Sequence, residues 1–358
     1  MAEFLNALPA WLQLLSLAVC SGTIFCCLWL SDASAGESSF QERMTDRLWP
    51  LYGVGVTVIL LGSVADLLIG AAEMSGNTIQ TLFPVLPTVV LKTHFGRVWL
   101  IRIAALVLFL LAASVRKKHR SSRPRLYLLL GIVVIIALTE SASGHAADKG
   151  DFSLAEIADW LHILGASVWG GGLFVLATLV LPKLTRSEET STLLAYMASR
   201  FSTIAGFAVG MIALTALYNA WLYVSSLEAL WTTPYGWIVV VKTSLFSLLI
   251  ALGAFNRYVN VPLLQERAGI PSKKHRIVEI VTALFFTRSP GSHEDHRTAA
   301  RFMNAVRIEA FLMALVLLCA ASLRHEVPAR HALHMGHGLE GPDHGMHMHH
   351  APHPDSAE

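Results

Sequence analysis

Two histidines lie at the facing ends of consecutive apolar segments that a short acidic connection joins. His145 closes the first segment, and His162 lies about one turn inside the second. Histidine is costly to place in an apolar span, so such a residue indicates function by default. Imidazole suits copper, zinc, nickel or iron. The pair therefore predicts a metal site without selecting the metal.

A third histidine, His94, precedes another apolar segment at the same predicted end of the molecule. With His145 and His162 it would supply three imidazoles from three different helices, as a metal site requires. Asp159 and His162 also share one face of their helix, because they are three residues apart. The alternative role for each histidine is interfacial capping or an internal hydrogen bond.

Four charged residues fall at a similar, slightly greater depth. Asp66 and Glu140 are acidic, and Arg102 and Lys242 are basic. Unpaired charges are costly inside a membrane, so two acids and two bases at one depth predict a paired polar network. Such a network is either a structural ion-pair lattice between helices or an electrostatic gate or proton-linked path beneath a metal site.

The segment 324–358 differs from the rest of the chain. It carries nine histidines and three methionines among Gly, Pro and acidic residues. This composition cannot bury a core, so we predict a disordered tail. Histidine-rich tracts bind metal, and methionine favours Cu(I) over zinc or nickel. The predicted ligands of this tail are His325, His331, His334, Met335, His337, His344, Met346, His347, Met348, His349 and His350.

The composition identifies a membrane protein. Hydrophobic residues make up 54% of the 358 residues and charged residues 15%, whereas a soluble domain carries roughly 25% charge. Spans of about 20 apolar residues predict an all-α bundle of eight transmembrane helices. The predicted spans are 8–30, 49–72, 97–115, 125–145, 155–181, 201–226, 235–259 and 303–323. We assign Glu309, near the start of the last span, to the inner interface.

The loops predict the orientation of the bundle. Nineteen Lys and Arg residues fall in the loops on one side and five on the other. The positive-inside rule places the first group in the cytoplasm. Both termini are then periplasmic, and the protein lies in a bacterial inner membrane. Because the basic runs are explained by topology, nucleic acid is not a predicted partner; the lipid bilayer is.

The stretches RFSTIAGFAVGMIALTALYNAW at 200–221 and TPYGWIVVVKTSLFSLLIALGAFNRY at 233–258 resemble the copper-resistance protein D (CopD) family. The resemblance covers roughly 140–323, and its most specific pieces are the Tyr-Gly that precedes Lys242, the pair Asn256-Arg257 and the WGGGL turn of the fifth span. It implies an eight-span inner-membrane protein that works with a periplasmic copper-binding partner of the CopC type. It also implies that His145 and His162 are the best ligand candidates.

We therefore expect a domain at 1–323, with its CopD-like core at 140–323, followed by the tail. The expected function is uptake or transfer of periplasmic copper, as Cu(I) or Cu(II), with the tail as a collector. Two alternatives remain: a b-type cytochrome that uses the same histidines as haem b ligands, or a non-transporting copper delivery or assembly factor. An enzyme is not expected, because no nucleotide loop, nucleophile elbow or HExxH motif is present.

Overall fold

The structure is a computed structural model that describes residues 2–33, 38–114, 122–185, 190–224, 226–271, 292–324 and 326. Within these ranges the chain forms helices and no strands. The α-helices are α1 (Ala2–Asp32), α2 (Ser38–Ser75), α3 (Leu86–Lys92), α4 (His94–Ala113), α5 (Arg123–Ser141), α6 (Leu154–Val175), α7 (Leu181–Leu184), α8 (Ser191–Tyr223), α9 (Ala229–Thr232), α10 (Pro234–Phe255), α11 (Val261–Arg267) and α12 (Ser292–Leu323).

Eight of the described helical segments are long and apolar enough to cross a membrane, which confirms the predicted all-α fold and the number of spans. A π-turn, Leu176–Val180, joins α6 to α7, and a second, Asn256–Asn260, joins α10 to α11. Each of these pairs therefore forms one continuous span.

The observed helices differ from the predicted spans at their ends. Helix α2 begins at Ser38 and α8 at Ser191, about ten residues before the predicted boundaries, because hydropathy detects only the apolar part of a helix. The fourth span ends earlier than predicted, at Ser141. His145 is therefore not the end of that helix but the first residue of a separate 3-10 turn, His145–Lys149.

Helix α1 lies at the centre of the bundle and packs most extensively on α6 and α2. Its close approach to α6 depends on two glycines. A Cβ atom on Gly22 would lie 2.0 Å from the carbonyl oxygen of Gly171, and one on Gly171 would lie 1.9 Å from that of Ala18. Small residues are the usual means by which transmembrane helices approach this closely. The glycine run of the fifth span therefore serves packing, as its sequence indicates.

The two halves of the bundle share one pattern. In each half a short helix precedes a long span that begins after a threonine cap: Thr93 accepts from the Gly96 amide, and Thr233 from the Gly236 amide, both at 3.0 Å. A basic residue follows six positions after each glycine. The halves also differ, since α2 packs against α4 whereas α8 and α10 make no comparably extensive contact. The second half therefore contains a gap between α8 and α10.

Candidate metal centre

The gap between α8 and α10 contains a cavity of about 500 Å³, which we call the histidine cavity. Helices α6, α8, α10 and α12 form its walls, and the 3-10 turn that starts at His145 covers one end. Its polar lining includes His145, Asp159, His162, Asn219, Tyr223 and Lys242. Asp159, His162 and Ala166 all line it from α6, as their shared helix face predicts. The structure thus brings His145 and His162 to the same cavity.

The hydrogen bonds of Thr215 determine which ring nitrogen of His162 faces the cavity. His162 Nδ1 lies 3.0 Å from Thr215 Oγ1. The Thr215 hydroxyl has one proton, and its neighbours at 2.8 and 3.1 Å are the carbonyl oxygens of Met211 and Ile212, which only accept. We therefore assign the proton of a neutral His162 to Nδ1, which donates to Thr215. Nε2 then carries a lone pair that can bind metal, the arrangement typical of metal-ligating histidines.

Other polar atoms around the cavity also lack partners. His145 Nε2, Asn219 Oδ1 and the Tyr223 hydroxyl are buried, and none has a hydrogen-bond partner within the part of the chain that the structure describes. Buried polar groups in proteins are nearly always paired, so three such atoms around one cavity need an explanation. A bound cation or ordered water would satisfy them. An imidazole nitrogen and an amide oxygen are both metal ligands.

Two opposite charges face the same cavity. Asp159 lies within electrostatic reach of Arg324, Lys242 and His145. Lys242 interacts in turn with Asp159 and with Cys319. The carboxylate and the ammonium group offset each other, so the cavity does not present a single strong charge. A cation that enters would be stabilised by Asp159 and repelled by Lys242.

His94 lies apart from the other two histidines, contrary to the expected three-imidazole arrangement. Its Nε2 atom is 2.9 Å from the Asp151 carboxylate, and the His94 and Asp151 side chains are 39% and 64% exposed. His94 does not line the histidine cavity. The reason is the position of α4, which packs on α2, α3 and α5. Among the described residues, no three His, Cys, Asp or Glu side chains gather closely enough to hold a metal.

Three of the four predicted network residues meet, and Lys242 is not among them. Arg102, 2% exposed, lies 3.3 Å from Asp66 and 3.2 Å from Glu140. It also donates to the Thr139 carbonyl at 2.7 Å. Arg324 joins from the end of α12, 2.8 Å from Glu140. We call Asp66, Arg102, Glu140 and Arg324 the ion network.

Arg324 stays charged in this network. Burial lowers the pKa of its guanidinium, but the carboxylates of Glu140 and Asp66 raise it, and the net shift is upward. Arg324 also lines the histidine cavity. It therefore connects the ion network to the candidate metal centre.

The sequence analysis missed Asn219 and Tyr223, which line the cavity, and Thr215, which contacts His162. Thr215, Asn219 and Tyr223 lie on one face of α8 at four-residue spacing, which is a polar stripe on an otherwise apolar span. That stripe is the signal that could have identified them. The predicted ligands of the tail, from His325 onward, lie outside the described residues.

The chain matches two family models of copper-resistance proteins. The model described as "Copper resistance protein D-like, N-terminal domain" matches residues 1–154, and "Copper resistance protein D" matches residues 195–323. The chain belongs to the copper resistance protein D family. It is accordingly a multi-pass membrane protein of a copper-related family. Helix α6, which carries Asp159 and His162, lies between the two matched regions.

Curated relatives carry related names. The chain is 31% identical over 232 residues to copper transport protein CutJ of Bacillus subtilis (strain 168). The aligned region covers 63% of this chain and 41% of CutJ. It is 27% identical over 220 residues to copper resistance protein D of Pseudomonas syringae pv. tomato, covering 61% of this chain and 71% of that protein. It is 27% identical over 211 residues to inner membrane protein YebZ of Escherichia coli (strain K12), covering 58% and 69%. No solved structure matches.

Proposed function

We propose that this protein binds copper in the histidine cavity and takes it up or transfers it across the bacterial inner membrane. The observation that carries the proposal is the meeting of His145 and His162 at one cavity, where His145 Nε2 is buried and unpartnered in the described part of the chain. The contact with Thr215 assigns the proton of His162 to Nδ1 and the lone pair to Nε2. The family and the name of CutJ support copper as the cargo.

The ligand set suits copper in either oxidation state. Two imidazoles bind Cu(I) or Cu(II), and Met313, 1% exposed, lines the same cavity with a thioether that favours Cu(I). Asp159, which lines the same cavity, would offset the positive charge of a bound ion. His94, on its exposed pair with Asp151, would act at the entrance and not as a ligand of the bound ion.

The rest of the chain fits this function as follows. In the orientation that the loop charges predict, the histidine cavity faces the periplasm, where the tail 324–358 would collect copper. Delivery by a periplasmic CopC-like protein is the corresponding partner. The protein would not be an enzyme, because moving copper requires binding and release and no covalent step.

Copper content tests the proposal directly. A variant that ends at Glu326 keeps Arg324 and its bond to Glu140, and it retains only His325 of the predicted tail ligands. After copper loading and desalting, mass spectrometry is expected to find about one copper ion per chain, held by imidazole nitrogen. His145→Ala and His162→Ala are each expected to lose it, and His94→Ala to retain it.

The other outcomes contradict the proposal in different ways. No copper in the shortened variant would confine binding to the tail. Iron with a haem absorption band would establish the cytochrome alternative. Copper that is bound but never crosses the membrane of reconstituted vesicles would make the protein a delivery or assembly factor.

A further inference from the structure

A second cavity lies in the same gap between α8 and α10, on the opposite side from His145. It measures about 410 Å³, and we call it the glutamate cavity. Its polar lining is formed by Ser202 and Thr203 of α8, by Asn256, Arg257 and Tyr258 of the π-turn after α10, and by Glu309 of α12. It extends inward from Tyr258, which is 44% exposed, to Glu309, which is 2% exposed.

Glu309 is held by a chain of side-chain amides. Asn256 donates from Nδ2 to Glu309 Oε1, and Asn260 donates from Nδ2 to Asn256 Oδ1. The remaining oxygen of Asn260 is buried without a partner among the described residues. Both asparagines belong to the π-turn, a distortion that is frequent at functional sites. The sequence analysis assigned Glu309 to the inner interface, which is wrong, because its side chain is buried within the bundle.

The carboxylate of Glu309 has no ion-pair partner in the described part of the chain. Arg257, the other charged residue of this cavity, donates to the Ser202 carbonyl on α8. Arg307, on the same helix as Glu309, is exposed. Charged groups on the elements packed against α12 lie elsewhere. Lys242, Asp159 and His162 line the histidine cavity, Asp32 pairs with Arg123, and Glu156 bonds to the Phe152 amide. Glu266 and Arg267 of α11 do not line the glutamate cavity.

Two aromatic rings and a methionine separate the two cavities. Trp169 lines the glutamate cavity and Phe246 the histidine cavity, and their ring centroids are 6.1 Å apart at an interplanar angle of 78°. Met313 lies four residues after Glu309 on α12 and lines the histidine cavity, so the two side chains are about 6 Å apart along the helix. The two compartments are thus about one helical turn apart.

We propose that Glu309 binds a small hard cation, a proton or Na⁺, and that its binding is linked to the movement of copper past Trp169 and Phe246. A buried carboxylate without a counter-charge is costly in a membrane, and a cation in the glutamate cavity would neutralise it. Carboxylate and amide oxygens suit hard cations and not Cu(I). The described lining of the glutamate cavity holds no imidazole, thiol or thioether, so we assign this cavity to coupling and not to copper. This inference rests on the proposed function.

Infrared difference spectroscopy of the full-length protein tests the binding step. One arm lowers the pH without Na⁺, and the other adds Na⁺ at constant high pH. A carboxyl C=O band that grows on acidification in wild type and is absent in Glu309→Gln establishes a proton. A Glu309-dependent shift of the carboxylate bands on adding Na⁺ establishes Na⁺. No Glu309-dependent signal in either arm overturns the proposal. Glu73→Gln, at an exposed position of α2, is the matched control.

Copper flux into reconstituted vesicles tests the coupling step. Wild type is expected to move copper faster when the gradient of the identified cation is imposed, and Glu309→Gln to lose that acceleration while it keeps copper in the histidine cavity. The glutamine carbonyl can still accept from Asn256. A variant that responds to the gradient as wild type does overturns the inference. Wild-type protein that binds no copper defeats the proposed function instead.

Cation binding by Glu309 can still be tested if Glu309→Gln has a folding defect. If Glu309→Gln fails to fold, Glu309→Asp keeps the charge and is expected to keep a carboxyl or carboxylate band that responds to the same cation at a shifted position. Wild-type protein that shows no cation-dependent carboxyl signal overturns the proposal without any variant.

Discussion

The two halves of the bundle share one helix pattern, but the basic residue of that pattern has different surroundings in each half. In the first half, the arginine six residues after the capped glycine, Arg102, is enclosed by Asp66, Glu140, Thr139 and Ser143 and fills the space between α2, α4 and α5. In the second half, the corresponding residue is Lys242, and the space around it is a cavity.

Helices α1 and α6, which pack on each other, also differ in their polar residues. Gln13 lies nine residues before Gly22 on α1, and His162 lies nine residues before Gly171 on α6. Gln13 donates to Asp66 at 2.9 Å. His162 Nδ1 contacts Thr215, and the His162 side chain lines the histidine cavity. The ion network of the first half is satisfied by its own members, whereas the histidine cavity of the second half keeps His145 Nε2, Asn219 Oδ1 and the Tyr223 hydroxyl buried without partners among the described residues. This difference separates a structural network from a binding site.

Arg102→Met tests whether the ion network stabilises the first half, and we expect it to have the largest effect on stability. The substitution removes the cation that Asp66 and the buried Glu140 share and leaves Glu140 with Arg324 alone; removing one partner of a buried pair costs about 3–5 kcal/mol. Thermal unfolding in detergent measures the loss. The folded fraction is expected to bind copper as wild type does.

Arg97→Met is the matched control for this experiment, since Arg97 is exposed three residues after His94. It is expected to change stability by less than about 0.5 kcal/mol. An Arg102→Met protein as stable as the control would show that the first half is not held by its ion network.

Thr215→Val tests the second half of the bundle, where Thr215 contacts His162. The isosteric change removes the acceptor of the His162 Nδ1 proton, so the ring is no longer fixed with Nε2 toward the cavity. Loss of such an outer partner typically weakens metal binding about 10–100-fold. Competition with a copper chelator measures the affinity, and Thr215→Ser is expected to restore it.

The control for this change lies on the same helix. Thr203 is exposed and donates to the Ser199 carbonyl at 3.0 Å, so Thr203→Val removes a hydroxyl of the same kind away from His162. Equal copper affinity in Thr215→Val and wild type would contradict the assigned role of Thr215.

His94→Ala is expected to have the smallest effect. Its pair with Asp151 is solvent-exposed, and such pairs contribute about 0–1 kcal/mol. Chemical denaturation and copper content are the measurements, and both are expected to stay close to wild type. Loss of bound copper in this variant would restore the three-histidine site that the sequence predicts.

The sequence predicted the number of spans well and the rotation of the helices poorly. Apolar length identifies the spans, and the number of spans followed from it. Apolar length does not determine which side of a helix faces a neighbour or which helices are neighbours. Arg102 and Lys242 were assigned one depth and were therefore grouped, yet they belong to different halves. His94 was grouped with His145 and His162 for the same reason. Glu309 was misplaced because an acidic residue near a span end resembles an interfacial one.

The contact between Gly22 and Gly171 has a consequence for the biogenesis of the protein. Helix α1 is made before α6, and more than a hundred residues separate the two helices in the chain. At about 5–20 residues per second, translation reaches α6 roughly ten seconds after α1. During that interval the glycine surface of α1 faces lipid or the insertion machinery. Helix α1 is therefore synthesised before α6, the helix that completes its packing, is available.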